Sequence, residues 1–238
     1  MDTFSHELIA NARMEGRASL DEAAGKALLA YHGVVVPRTT VVKKPEEVGE
    51  ALKALKPPVV VKVVSAEILH KSDAGGVKVG LKTSDEVRDA IRSMAELPKI
   101  KGARVQGWLI EEMAPSGQEM VIGGLRDPQF GPLVMVGLGG IFVEVLADVA
   151  FRICPIRRID AEDMLDELKG AAILEGARGR RPVSRDAIVD VLMKIGGEQG
   201  LLMRHADDVA ELDINPLIVS DSGAVAVDAR LILTKSNE

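Results

Sequence analysis

The chain has 238 residues, 47% of them hydrophobic, which is enough apolar surface for one large core or two modest ones. Its net charge of −6 and its few aromatic residues argue against a general nucleic-acid binder, which needs excess Lys and Arg and aromatic side chains for base stacking. A single cysteine excludes a disulfide framework within the chain, and no apolar run approaches the roughly 20 residues of a membrane-spanning helix. The N-terminus has no signal-peptide pattern, so we expect a folded cytoplasmic protein with no membrane and no nucleic-acid partner.

The first part of the sequence predicts helices and strands in alternation. Ser19 and Glu22 have the spacing of a capping box, and the apolar residues that follow keep helical spacing until Gly33. A second helix is predicted over residues 44–56. The run VVVKVV then predicts a buried strand, GVKVGL predicts a second strand after a loop, and a further helix is predicted to begin at Ser84.

From residue 105 the pattern changes to short apolar runs separated by turn sequences such as APSG and GLGG, which indicates an antiparallel β region. Two helices are predicted to follow, one that ends at Gly170 and one that is capped by Ser184. The chain then returns to strands, because VAELDINPLIV and AVAVDARLIL flank SDSG, a sequence typical of a hairpin turn. In the last strand, Asp228 and Arg230 alternate with apolar residues and are predicted to brace the strand beside them.

The segment ELDIN, residues 211–215, places three oxygen donors at alternating positions. In a strand, Glu211, Asp213 and Asn215 project from one face while the two residues between them enter the core. Such a set is typical of Mg²⁺ sites, where a few protein oxygens leave the other octahedral positions to water and substrate phosphates. The alternative interpretation is a polar strand face in contact with solvent.

The loop over residues 68–80, ILHKSDAGGVKVG, has the composition of a phosphate site. Adjacent Gly75 and Gly76 permit backbone conformations in which N–H groups approach a polyphosphate, and Lys62 and Lys71 can supply positive charge. Neither a Walker motif nor a dinucleotide-binding glycine fingerprint is present. The histidine of this loop, taken by itself, is more often a bystander than a functional residue.

The segment LIEEMAPSGQE, residues 109–119, predicts a strand, a turn and a strand, and it contains Glu111, Glu112 and Glu119. A connector of this kind can bind an adenine edge through main-chain groups, with a carboxylate accepting from ribose hydroxyls. An ordinary solvent-exposed hairpin has the same pattern, so both interpretations stay open at this point.

Four segments carry a resemblance to a known family. They are PPVVVKVVSAEILHKSDAGGVKVGLKTSDEV, LIEEMAPSGQEMVIGGLRDPQFGPLVMVGLGGIFVEVLADVAFRICPI, GARGRRPV and ELDINPLIV. Together they resemble the ATP-grasp domain of ADP-forming acyl-CoA synthetases, in particular the separate ATP-binding β subunit of archaeal ADP-forming acetyl-CoA synthetases. The resemblance covers residues 18–233 and keeps the family's order.

The resemblance implies an α+β (α/β) ATP-grasp fold in which two α+β lobes clamp a nucleotide. It divides the chain into an N-terminal arm over 1–17, a first lobe with the phosphate loop over 18–106 and a second lobe with the metal strand over 107–238. It also implies roles for the candidate residues: Lys62 at the phosphates of ATP or ADP, beside the loop with Lys71, Gly75 and Gly76; Glu112 and Met113 at the adenine through their backbone groups; Glu119 at the ribose; and Asp213, Asn215 and Glu211 at Mg²⁺. Glu111 is also expected among the nucleotide-binding residues.

The resemblance further implies an enzyme subunit that acts through phosphohistidine. The family converts acyl-CoA, ADP and phosphate to acid, CoA and ATP, and passes the phosphoryl group by way of two histidines. One lies on a CoA-binding α subunit, and the other corresponds here to His70, since an imidazole nitrogen is nucleophilic at neutral pH. A CoA-binding α partner in an α₂β₂ assembly is therefore expected.

Two other functions stay open on the sequence. One is an ATP-grasp nucleotide-sensing module of the kind associated with some protein acetyltransferases, for which degenerate site residues would be expected. The other is an ATP-grasp carboxylate–amine ligase, which has no need of a histidine beside the phosphate loop. The presence of Lys62, His70, Asp213 and Asn215 favours the acyl-CoA synthetase subunit.

Overall fold

A computed structural model describes residues 3–65, 67–68, 71–140, 146–176 and 181–235. The chain divides into two compact units. The large unit comprises Met1–Val36 and Pro115–Glu238, and the small unit comprises Pro37–Ala114.

The described residues form helices and strands with the following bounds. The helices are α1 (Thr3–Met14), α2 (Glu22–Tyr31), α3 (Val48–Ala51), α4 (Ser84–Ala95), α5 (Pro98–Lys101), α6 (Arg158–Asp166), α7 (Arg185–Gly196) and α8 (Leu201–Arg204), with 3₁₀ turns at Pro45–Glu47, Leu52–Ala54 and Ala171–Ile173. The strands are β1 (Ser19–Leu20), β2 (Thr39–Val42), β3 (Val59–Val64), β4 (Val77–Leu81), β5 (Gly107–Glu112), β6 (Gln118–Asp127), β7 (Gly131–Leu138), β8 (Val149–Ile153), β9 (Val209–Ser220), β10 (Gly223–Ala226) and β11 (Arg230–Leu233).

The large unit is built on an antiparallel sheet in the order β1–β11–β9–β6–β7–β8, with β10 paired to β9. Its core lies on one face of this sheet, where the buried residues of β6, β7 and β9 pack against helices including α2, α6 and α7. Because side chains alternate along a strand, the positions between these buried residues point to the other face.

The small unit contains a second antiparallel sheet in the order β2–β5–β3–β4. Its core is formed by strand residues such as Val61 and Ile110 together with Val87, Ile91 and Met94 from α4. The two strands predicted at VVVKVV and GVKVGL are confirmed as β3 and β4, and the structure pairs them with each other.

One of the two predicted helix N-caps, at Ser184, is confirmed, and the other, at Ser19, is not. Ser184 accepts from the Ala187 N–H at 3.2 Å at the start of α7, as predicted. The predicted cap at Ser19 is wrong, because Ser19 lies in β1 and pairs with Ile232; the N-cap of α2 is Asp21, which accepts from the Ala24 N–H at 2.8 Å.

The predicted lobe boundaries also differ from the two units. β5, which was placed at the start of the second lobe, is hydrogen-bonded between β2 and β3 and therefore belongs to the small unit. Residues 18–36, which were placed in the first lobe, belong to the large unit because β1 pairs with β11 and α2 joins the large core. The 1–17 arm contains α1, whose Ile9 and Ala12 are buried in that same core. No helix in the described residues is long and apolar enough to cross a membrane.

Candidate nucleotide site

A buried ion pair joins two neighbouring strands of the small unit. In the register of β3 and β5, Lys62 is opposite Leu109 and Glu111 is opposite Val60, so the two charged side chains are diagonal neighbours on one face. Lys62 Nζ lies 2.6 Å from Glu111 Oε1, and the two residues are only 6% and 0% exposed. Glu111, predicted among the nucleotide-binding residues, is thus placed as the partner of Lys62, the lysine predicted at the phosphates.

The glycines of the phosphate loop form a closed turn. The Gly75 N–H donates to the Ser72 carbonyl at 3.0 Å, and the Gly76 N–H donates to the Lys71 carbonyl at 2.7 Å. Gly75 has a φ of 71°, and a Cβ on Gly76 would lie 2.5 Å from Val63 Cγ1. The glycines are therefore required by the turn itself, and because both amides already donate inside it, a contact with phosphate stays a prediction.

The main-chain donors at the end of β5 are also engaged. The Glu112 N–H donates to the Arg38 carbonyl at 3.0 Å, and the Met113 N–H donates to the Pro58 carbonyl at 3.2 Å. The Glu112 carboxylate accepts from the Lys56 N–H at 2.8 Å. Adenine binding through these two amides stays a prediction, and it would require each N–H to give up or share its present acceptor.

The face of β9 has the predicted alternation. Glu211, Asp213 and Asn215 are exposed, whereas the intervening Leu212 and Ile214 are buried. A cavity of about 260 Å³ runs along this face of the large unit and is lined by Gly124, Leu125, Glu211, Leu212, Asp213, Arg230 and Ile232. The three oxygen donors are therefore brought together on one accessible surface.

The pKa of the Asp213 carboxyl group is raised by its surroundings. Partial burial of its carboxyl group raises its pKa, the negative charge of Asp228 raises it further, and Arg230, directly opposite on β11, acts in the opposite direction. The predicted bracing role of Asp228 and Arg230 is thus only half right, because Asp228 repels the carboxylate that Arg230 stabilises. A bound cation would relieve that repulsion.

The donors on β9 fit Mg²⁺ when a ligand completes the coordination. Within the described ranges, no three or more His, Cys, Asp or Glu side chains are grouped so as to hold a metal by themselves. An incomplete set of carboxylate and amide oxygens is what Mg²⁺ uses when phosphate oxygens and water fill its remaining positions.

Glu119 lies at the start of β6 with an exposed side chain. Its carbonyl accepts from the Gly139 N–H at 2.8 Å, and a Cβ on Gly139 would come within 2.9 Å of the Glu119 backbone. Gly140 has a φ of 64°. The GLGG sequence, predicted only as a turn, is therefore needed for close approach to Glu119. A glycine pair directly after a buried strand is the signal that could have suggested it.

The four histidines have different outcomes. His70, the predicted phosphoryl carrier, lies outside the described residues. The other three belong to the large unit, where His205 is 1% exposed, its Nε2 lies 3.2 Å from that of His32, and its ring makes an edge contact with that of His6. These three histidines have no motif context in the sequence, and in the structure their rings pack against one another.

Comparison with known proteins identifies the family. Residues 11–233 match the ATP-grasp domain family. The chain is 43% identical, over 96% of its length and 97% of the relative's, to the β subunit of ADP-forming acetate–CoA ligase I from Pyrococcus furiosus. The chain belongs to the ATP-grasp family of ADP-forming acetate–CoA ligases. The predicted family, its fold and its enzyme class are therefore confirmed.

In this ligase family the domain occurs both within a longer protein and as a chain of its own. ADP-forming acetate–CoA ligase I of Archaeoglobus fulgidus is 37% identical over 95% of the present chain, which spans only 33% of that longer protein. Among solved structures, acetyl-coenzyme A synthetase 1 of Ca. Korarchaeum cryptofilum superposes with a TM-score of 0.84 at 42% identity, covering 97% of this chain and 100% of that one. That structure is a complex with coenzyme A and Mg-AMPPCP, with its phosphohistidine segment pointing towards the nucleotide-binding site.

Proposed function

We propose that the chain is the nucleotide-binding β subunit of an ADP-forming acyl-CoA synthetase, which together with a CoA-binding α subunit converts acyl-CoA, ADP and phosphate to acid, CoA and ATP. The proposal is supported by similarity across 97% of the Pyrococcus furiosus β subunit. The observation in the structure that carries it is the face of β9, on which the oxygen donors Glu211, Asp213 and Asn215 are exposed together.

In this proposal the oxygen donors of β9 bind the metal of the nucleotide. Asp213 and Asn215 would hold Mg²⁺, with Glu211 near them on the same face. The ion supplies positive charge that offsets the phosphates during transfer. The relative with bound Mg-AMPPCP supports this assignment.

Other candidate residues would hold the nucleotide itself. The charge of Lys62, oriented by Glu111, suits the phosphates, as does that of Lys71 beside the turn of Gly75 and Gly76. The end of β5, at Glu112 and Met113, is assigned to the adenine, and Glu119 to the ribose hydroxyls.

The phosphoryl carrier in this proposal is His70. Its imidazole nitrogen would form a P–N bond as the phosphoryl group leaves a donor on the partner subunit. A terminal oxygen of ADP would then attack the phosphorus, the P–N bond would break and the imidazole would be regenerated. Its support is the motif that it shares with a family in which a solved relative has a phosphohistidine segment.

The expected partner is a CoA-binding α subunit, in an α₂β₂ assembly in the cytoplasm. It is supported by the Archaeoglobus fulgidus relative, in which the present chain matches only 33% of one longer protein, so that two thirds of that ligase is supplied by other sequence. A nucleotide-sensing module is less well supported, because sensing requires neither the buried Lys62–Glu111 ion pair nor a histidine that carries a phosphoryl group.

The experiment follows the label. The assembled enzyme is incubated with acetyl-CoA and ³²P-phosphate without ADP, and the chain is then separated under denaturing conditions. We expect an acid-labile, base-stable label that ADP discharges as labelled ATP, that is absent in His70→Ala and that is unchanged in the control His32→Ala. If the chain carries no label while the assembled enzyme turns over, the proposed phosphoryl transfer through His70 is wrong. A chain that binds Mg-ADP but gives no ATP with its partner would instead be a sensing module.

A further inference from the structure

A buried carboxylate in the large unit binds two backbone amides of a neighbouring turn. Asp148, directly before β8, is 3% exposed. Its Oδ1 accepts from the Lys169 N–H at 2.8 Å and its Oδ2 accepts from the Gly170 N–H at 2.9 Å. Both oxygens of one carboxylate thus hold two successive amides of the turn between α6 and the 3₁₀ turn at Ala171–Ile173.

That turn packs directly on the end of β7. A Cβ on Gly170 would lie 2.3 Å from Leu138 Cδ1 and 3.2 Å from Asp148 Oδ2, so only glycine permits the observed approach. Leu138 is itself fully buried in the large core, so its side chain is packed between this turn and the sheet. Asp148 therefore fixes the turn, and the turn fixes the position of Leu138.

Leu138 leads to the contact with Glu119. The next residue, Gly139, donates its N–H to the Glu119 carbonyl at 2.8 Å, and its Cα lies so close that a Cβ would meet the Glu119 backbone at 2.9 Å. The contacts form one chain within the large unit, from Asp148 through Gly170 and Leu138 to Glu119.

We propose that Asp148 is a positioning residue for nucleotide binding, which holds the Glu119 carboxylate where it can accept hydrogen bonds from the ribose hydroxyls. This inference rests on the proposed function, in which Glu119 is the ribose ligand. Asp148 itself does not touch the nucleotide. Its effect passes through the Lys169–Gly170 turn and the Leu138–Gly139 peptide.

The chemistry of the contact requires a carboxylate. Asp offers an acceptor to each of the two N–H groups, whereas Asn offers one acceptor and an NH₂ group that would face an N–H donor. Asp148→Asn therefore leaves one buried donor unsatisfied and loosens the turn without changing the size of the side chain.

The test uses the ribose hydroxyls as the reporter. Binding of Mg-ADP and of Mg-2′,3′-dideoxy-ADP to the full chain is measured by calorimetry, well below the unfolding temperature. We expect the wild type to prefer ADP by about tenfold, as for a hydrogen bond to a charged group. Glu119→Gln and Asp148→Asn should both reduce that preference, mainly because they weaken the binding of Mg-ADP. The matched control is Ser184→Ala, which removes a helix cap in the same unit and should lower stability while keeping the preference.

The outcomes separate the two proposals. If Glu119→Gln abolishes the preference and Asp148→Asn keeps it at the wild-type value, the positioning role is wrong and the proposed function stands. If the wild type does not bind Mg-ADP, the proposed function fails and this inference fails with it. Gly170→Ala provides a second perturbation if Asp148→Asn does not fold: it keeps the carboxylate but displaces Leu138, and a full preference for ADP in a folded Gly170→Ala protein would equally overturn the positioning role.

Discussion

Lys62 and Glu111 form a buried ion pair across β3 and β5, with Nζ and Oε1 2.6 Å apart and side chains 7% and 1% exposed. Removing one partner leaves the other charge in a low-dielectric environment, which costs about 3–5 kcal/mol. We therefore expect Glu111→Gln and Lys62→Met each to lower the free energy of unfolding by several times the effect of a surface mutation. Urea denaturation measures this change.

The double variant distinguishes a charge effect from a packing effect. Lys62→Met combined with Glu111→Gln removes both charges of the pair, so its loss of stability should be smaller than the sum of the two single losses. The control is Lys53→Ala, because Lys53 pairs with Glu50 at side chains that are 72% and 79% exposed and should contribute less than about 0.5 kcal/mol. Additive single losses would show that the pair is not coupled.

Cys154 provides a probe of the large core. The thiol is 7% exposed, and burial raises its pKa to about 12. At pH 8 the reactive thiolate is then on the order of one molecule in 10⁴, so alkylation should be roughly a thousandfold slower than for an exposed cysteine. Stopped-flow labelling with a thiol reagent measures the rate, and the same protein in denaturant provides the control. Rapid labelling of the native protein would contradict the burial of this thiol.

Local patterns predicted the strands and several helix starts, because alternation and capping depend on residues close together in sequence. The face of β9 is the best example: Glu211, Asp213 and Asn215 alternate with core residues in the sequence as they do in the strand. The Ser19 error has the same local origin, since Asp21 two residues later is an equally good cap and the pairing of β1 with β11 was not visible locally.

The long-range features could not be predicted. The Lys62–Glu111 pair depends on the register of β3 against β5, and the large unit depends on pairing between β1 and β11 from opposite ends of the chain. A one-residue slip in register would turn Lys62 to the other face, and no local pattern excludes such a slip. The support of Glu119 by Gly139 was missed for the same reason.

Ser184 tests a feature that the sequence did predict. Its side chain accepts from the Ala187 N–H at 3.2 Å and begins α7, a helix whose Ile188 and Leu192 are buried in the large core. Ser184→Ala should lower the free energy of unfolding by about 1 kcal/mol, because one helix N–H loses its acceptor. Ser184→Asp, which can cap equally well, should keep the stability. Equal losses in thermal unfolding for both variants would show that the cap does not stabilise α7.

The ionised carboxylate of Asp213 should lower the free energy of unfolding, although it is the group proposed to bind the metal. Its folded-state pKa lies above the ordinary value of 3.8 because of partial burial and the charge of Asp228. The folded protein therefore holds this proton more tightly than the unfolded chain, so stability falls as pH rises from 3.8 through the folded-state pKa, and the full cost remains at neutral pH. Asp213→Asn should then be as stable as the wild type or more stable at pH 7, by up to about 0.5 kcal/mol for so accessible a group.

The same substitution should weaken Mg-nucleotide binding, because an amide supplies a neutral oxygen where the metal would meet a carboxylate. Calorimetry with Mg-ADP and urea denaturation from pH 4.5 to 8 give the two readouts. The stability gap between Asp213→Asn and the wild type should narrow towards acid pH, whereas Asp207→Asn, whose side chain is 96% exposed, should show neither effect. A variant that loses stability at pH 7 would mean that the carboxylate stabilises the folded chain, and repulsion from Asp228 would then no longer be a reason to expect a cation at this strand face.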